Sequence, residues 1–213
     1  IEKYPANRAF LAVDGLGAGW QGTCQDKSSN YDWLSAVELG DALDNLGKSF
    51  EIISFSGCRM ATIEVAYEVK DYAMIFIGSE KVEWGCHWYQ HIGIGGGSWR
   101  YKEFLQELRN NPSMKKEGLA TKIVDTYVNH WQNQHPNKSV TLSAINESGI
   151  QNLAIKVSNL AYKLSEKLYP WKIDIRDAYN ETENYNYKYC KDLYHFTEKL
   201  DQHISDPELQ ALT

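Results

Sequence analysis

Apolar positions along the chain fall into two alternating patterns. Short continuous runs at residues 9–13, 50–55 and 73–77 read as buried strands, and a further strand is expected at residues 140–145. Between the runs, apolar residues recur at helical spacing. Residues 35–46 place Val37, Leu39, Ala42, Leu43 and Leu46 on one stripe, and Gly47 supplies a C-terminal cap. A second helix is expected from Cys58 to about Lys70, with Met60, Ile63, Ala66 and Tyr67 as its stripe. Others are expected at residues 101–109, 116–131, 150–168 and 192–203, the third of these turning Leu153, Val157, Leu160, Ala161 and Leu164 inward. Residues 21–32 are polar and read as a long surface loop, and residues 81–99 as a loop rich in Gly, Trp and His. Strands alternating with helices predict an α/β fold with a parallel sheet. No repeat or linker interrupts the pattern, so residues 1–213 read as one domain.

Composition narrows the function classes. At 213 residues the chain can bury a full core. Its net charge of −6 and lack of any Lys/Arg cluster exclude a nucleic-acid partner. The longest apolar runs are far too short to span a bilayer. Four cysteines stand at 24, 58, 86 and 190 with no CxxC pair, which excludes a zinc ribbon or thioredoxin-type motif and suggests no disulfide framework. The run from Gly93 to Gly97 does not open a helix after a strand, so it is no nucleotide loop, and no cofactor is expected. Cys86, His87 and His91 are soft ligands, but three so close together rarely complete a tetrahedral site unaided, and no metal is expected. The sequence opens on Ile1 rather than Met and reads as a processing or fragment boundary.

Candidate chemistry concentrates at the turn Phe55-Ser56-Gly57-Cys58-Arg59-Met60. A cysteine just past a buried strand, in the first turn of a helix, sits where backbone N–H groups and the helix dipole favour a thiolate. In open α/β sheets this carboxyl edge is also where ligands bind. The competing reading is a small buried core thiol. His87 and His91 lie in the 81–99 loop, whose plain reading is an exposed aromatic loop with incidental histidines.

The segment Gly57-Cys58-Arg59-Met60, the following stretch from Thr62 to Ala73, and Ile77-Gly78-Ser79-Glu80 together closely resemble the clostripain family of cysteine peptidases, in the caspase-like clan. The resemblance extends to residues 3–8, to Gly17-Ala18-Gly19-Trp20, to Gly97-Ser98-Trp99-Arg100-Tyr101, to residues 141–145 and to residues 192–196, so it covers nearly the whole chain. It implies a three-layer αβα caspase-like fold with a mostly parallel central sheet. It implies a Cys–His dyad in which histidine takes the thiol proton and the thiolate attacks a peptide carbonyl. Cys58 holds the nucleophile position. The family's histidine stretch reads Asp-His-Gly-x-Gly-Trp, and here Leu16 stands at the histidine. The family's Asp-Ala-Cys uses its Asp to bind a basic side chain, and here Ser56 replaces it. Ser56, Glu80 and Trp99 are the implied substrate-binding positions, Glu80 being the acid that can substitute at the pocket.

The expectation is a catalytically silent homologue used for binding or assembly. Its alternative is an active cysteine endopeptidase with His87 or His91 as base and non-basic specificity. Family self-cleavage falls in the region of residues 21–31, where Lys27 is the basic residue. Family members carry strands before the Tyr4-Pro5-Ala6 segment, so the resemblance implies that this sheet is completed by another polypeptide, an N-terminal fragment or a separate subunit, with a larger assembly open. Together with three Asn-x-Ser/Thr sequons, at Asn137, Asn146 and Asn180, it points to an extracellular or cell-surface location.

Overall fold

The computed structural model describes residues 6–85, 99–185 and 190–213. They belong to two compact units, one ending at Ile150 and the other spanning Gln151–Thr213. The first contains a four-stranded sheet in the order β1 (Phe10–Asp14), β4 (Phe50–Ser56), β5 (Ala73–Gly78), β6 (Ser143–Asn146). The first three strands are parallel and β6 is antiparallel to β5. Each parallel connection carries a helix, α1 (Ala36–Leu46) before β4 and α2 (Ile63–Val69) before β5.

Alternation along the strands sorts side chains into two cores. Ile53, Phe55 and Phe76 pack with Leu39 and Leu43 of α1 and with Val65, Ala66 and Val69 of α2. Ile52, Ile75 and Ile77 point the other way, onto Phe104 of α3 (Tyr101–Asn110) and Leu119, Ala120, Ile123 and Tyr127 of α4 (Lys116–Gln134). A sheet covered by helices on both faces requires strands that are apolar on both sides, which is why 50–55 and 73–77 read as continuous runs. The result is the expected three-layer αβα arrangement with a mostly parallel sheet.

Local chemistry sets the helix ends. Ser35 caps α1 in a reciprocal capping box with Glu38, and Gly47 closes the helix in the left-handed conformation at φ 60°. Two expectations are corrected. The polar segment after β1 is not a plain loop: β2 (Thr23–Asp26) and β3 (Asp32–Leu34) form an antiparallel hairpin. Its turn is held by Asp26, whose carboxylate accepts from Ser28 and Ser29, with Asn30 and Tyr31 at positive φ. Nor does α2 begin at Cys58. It starts at Ile63 behind the N-cap Thr62, because Arg59 takes a left-handed φ of 60° that breaks helical continuity.

In the second unit, α5 (Ile150–Glu166) ends earlier than expected and a separate helix follows, α6 (Leu168–Glu181). Pro170 is tolerated there because it lies in the first turn, where its missing N–H has no intrahelical partner to lose. α7 (Leu193–His203), capped by Asp192, and the short α8 (Pro207–Gln210) complete the unit. Its core is Leu160, Ala178, Leu200, Ile204 and Leu209. Among the described residues, no helix is long and apolar enough to cross a membrane.

β1 is a terminal strand: β4 lies on one side and, among the described residues, no strand lies on the other. Its larger apolar side chains, half-buried, nonetheless face both cores. Leu11 and Val13 pack into the first core, and Phe10 packs edge-on against Phe104 in the second, ring centroids 6.3 Å apart. It carries no Lys and no Pro, the usual protections of an exposed edge.

Candidate active site

The register pairs Asp14 with Ser56 and Ser54 with Ile77, so β1, β4 and β5 end together on one edge of the sheet. The loops leaving β1 and β4 then press against each other. Gly15 N–H donates to the Ser56 carbonyl at 3.2 Å. A β-carbon on Gly17 would fall 2.4 Å from the Cys58 carbonyl oxygen, and one on Gly57 would fall 2.8 Å from the Gly15 oxygen. Only glycine permits that approach. The loop leaving β5 is tied in as well: Arg59 N–H donates to Lys81 O at 2.9 Å and Ala61 N–H to Ser79 O at 3.0 Å.

Cys58 therefore lies at the carboxyl edge as expected, only 5% exposed. The loop, not a helix, holds it, so the expected helix-dipole support for a thiolate is absent. Leu16 sits one residue before the glycine that touches Cys58. Its carbonyl is fixed by Cys24 N–H at 2.9 Å and the Thr23 hydroxyl at 3.3 Å. A leucine there can neither accept nor release a proton. Arg59 carries the backbone strain of the loop, and its guanidinium reaches the Gly17 carbonyl at 3.5 Å.

Ser56 is 2% exposed and hydrogen-bonds through its side chain with the Tyr101 hydroxyl. Burial, with the charges of Asp14 and Glu83 nearby, pushes the Tyr101 phenol up to about 12, against a smaller opposing pull from Ser56. Glu83 is fully buried and accepts from the Trp99 indole N–H at 3.1 Å. Trp99 is itself 4% exposed, so its ring is built into the wall. Glu80 lies on the β5 side and accepts from Ser143 at 2.6 Å. The structure thus brings Ser56, Cys58 and Leu16 together at one edge. Sequence reasoning missed Tyr101 as the partner of Ser56 and Glu83 as a buried acid. Tyr101 lies in the Gly97-Ser98-Trp99-Arg100-Tyr101 stretch, whereas nothing in the sequence marks Glu83.

His87 and His91, with Cys86, lie outside the described residues. The four described histidines are engaged elsewhere. His130 stands beside Arg100 and Glu103 and its ionisation is pulled down chiefly by burial. His135 stacks on Trp84 with ring centroids 4.2 Å apart. His195 accepts from Glu183 N–H, and His203 pairs with Glu181 at 3.2 Å. Among the described residues no group of three His, Cys, Asp or Glu side chains is placed to hold a metal ion.

A cysteine at the carboxyl edge of a mostly parallel sheet, with glycine-packed loops around it and helices on both faces, defines the architecture of caspase-like cysteine peptidases. The clostripain family profile matches residues 1–210, and the chain belongs to that family. No curated protein matches it. Solved structures similar to it include an inactive zymogen C11 protease from Parabacteroides distasonis, at 19% identity and TM-score 0.62 over 99% of this chain and 54% of that one. A secreted C11 cysteine protease from Bacteroides thetaiotaomicron, bound to an irreversible peptide inhibitor, is also similar, at 19% identity and TM-score 0.66 over 99% and 55%. A B. fragilis cysteine protease aligns at 18% identity and TM-score 0.59 over 89% and 71%. The chain spans about half the length of the first two.

Proposed function

We propose that this chain is a catalytically silent clostripain-family domain that binds polypeptide rather than cleaving it. The observation that carries the reading is the packing of Gly17 on the Cys58 backbone, which sets its neighbour Leu16 close to the nucleophile position; by the family resemblance residue 16 is the histidine's place, and a leucine there cannot take the thiol proton. Ser56 supports it. A neutral hydroxyl engaged with Tyr101 offers no carboxylate to a guanidinium or ammonium, and desolvating such a cation unpaired costs several kcal/mol in order of magnitude. The test is hydrolysis of fluorogenic peptides with Arg, Lys and uncharged residues before the scissile bond, wild type against Cys58→Ala. No Cys58-dependent turnover is expected with any of them. Turnover lost on Cys58→Ala overturns the reading and turns attention to His87 and His91.

The reading includes a second polypeptide. The apolar, unprotected edge of β1 supports it, because unpaired strand N–H and C=O groups template another strand. A cavity of about 530 Å³ opens beside the start of that strand, lined by Phe10, Leu105, Leu108, Pro112 and Leu119 with Arg109. An extended segment with apolar side chains fits both features. Treating residues 1–213 as a single domain rests on the family match, and an extracellular location on the secreted similar protease. Native mass spectrometry of material from its source tests the partner. A stable complex heavier than 24.4 kDa is expected, and a lone chain whose β1 amides are protected from exchange overturns it.

A further inference from the structure

The corner where β6 turns into α5 carries an acid that the site above does not use. Glu147 lies in the 3-10 turn Glu147–Gly149, packed against β5. It is 5% exposed, and neither carboxyl oxygen has a hydrogen-bond partner. A buried carboxylate without donors is costly, whereas the neutral acid is tolerated. The charged groups acting on it come from the turn between α2 and β5: Lys70, which attracts the carboxylate, and Asp71, which repels it. Lys70 is committed elsewhere, its ammonium 2.7 Å from Asp71 and 4.1 Å from the centre of the Tyr67 ring. Tyr72, the other titratable residue of that turn, stays neutral at these pH values, being raised by burial and nearby Asp44. Glu147 is the one titratable side chain between Ser143 and Ile150.

We propose that Glu147 is a protonation-controlled latch: neutral, it lets the β6–α5 corner close on the α2–β5 turn, and ionised, it loosens that corner while drawing on the Lys70 that otherwise holds Asp71. Burial pushes the carboxyl up to about 7, which puts the change in the range between mildly acidic and neutral surroundings.

Hydrogen exchange of the full chain between pH 5 and pH 8, corrected for the intrinsic rate, tests this. A carboxyl moved from about 4.5 to about 7 predicts that protection of the amides at residues 143–150 falls by roughly 70-fold over that range. In Glu147→Gln, which keeps shape and loses the charge, protection should stay level. In Lys70→Met the midpoint should move to higher pH, because the attracting cation is gone. Level protection in the wild type, or the same fall in Glu147→Gln, overturns the latch. An unchanged midpoint in Lys70→Met overturns the part assigned to Lys70.

Discussion

Placing a proton acceptor beside Cys58 tests the proposed silent site most directly, and the perturbation is Leu16→His. Position 16 adjoins Gly17, whose backbone lies against the Cys58 carbonyl, so an imidazole there starts one residue from the nucleophile. An unassisted thiol ionises near ~8.5, leaving about 0.1% thiolate at pH 5.5. Pairing that draws it to ~6 raises the fraction to about 24%, a gain of roughly 240-fold. A more acidic thiolate is also a weaker nucleophile: with a Brønsted slope of ~0.4–0.5, that shift costs about 10- to 18-fold. The net expectation at pH 5.5 is an alkylation rate roughly 13- to 24-fold above wild type, shrinking to about 1.7- to 3-fold at pH 7. The assay is iodoacetamide labelling across pH 5–9 with peptide mapping, so that Cys58 is read separately from Cys24, Cys86 and Cys190. The profile of Cys58 should show a midpoint near ~8.5 or above in wild type and near ~6 in Leu16→His. A wild-type midpoint below ~7 refutes the reasoning, because some other group would then already be taking the proton. Identical profiles refute the placement of position 16.

Three further outcomes follow from the same geometry. Gly17→Ala should lower stability by about 1–3 kcal/mol in urea unfolding, since its β-carbon would lie 2.4 Å from backbone oxygen that has no side-chain freedom to yield; an unchanged midpoint denies the loop contact. Phe104→Ala removes a fully buried ring that packs on Phe10 and Tyr101 and should cost about 3–5 kcal/mol by the same measurement. Ser56→Asp places a carboxyl in a 2%-exposed position near Glu83 and Asp14, so its ionisation should be suppressed. Because the folded state then holds the proton more tightly than the unfolded one, stability should fall as pH rises from about 4 toward neutrality, and a pH-independent difference from wild type would contradict the burial of that site.

What the sequence determined by itself is the layered plan and the residue types at the candidate site. Runs such as Phe50-Glu51-Ile52-Ile53-Ser54-Phe55 are legible because a strand buried on both faces has to be apolar at successive positions. The helix at Ala36–Leu46 is legible because Ser35, Glu38 and Gly47 satisfy its ends locally. Leu16 and Ser56 are equally visible, since a side chain that cannot accept a proton or carry a charge is recognised from its identity alone. Three features depended on tertiary structure. The start of α2 moved from Cys58 to Ile63 because Arg59 and Ala61 give their N–H groups to the loop after β5, contacts between segments about twenty residues apart. The hairpin formed from a polar segment because its hydrogen bonds run between its own strands and to Leu16, which no hydrophobic period reports. Tyr101 met Ser56, and Glu147 lost every donor, through packing across more than forty residues of chain or within a buried corner. Local patterns encode which face of an element is apolar; which polar groups end up facing one another depends on how the layers close, and there the energetic cost of a buried charge is decided.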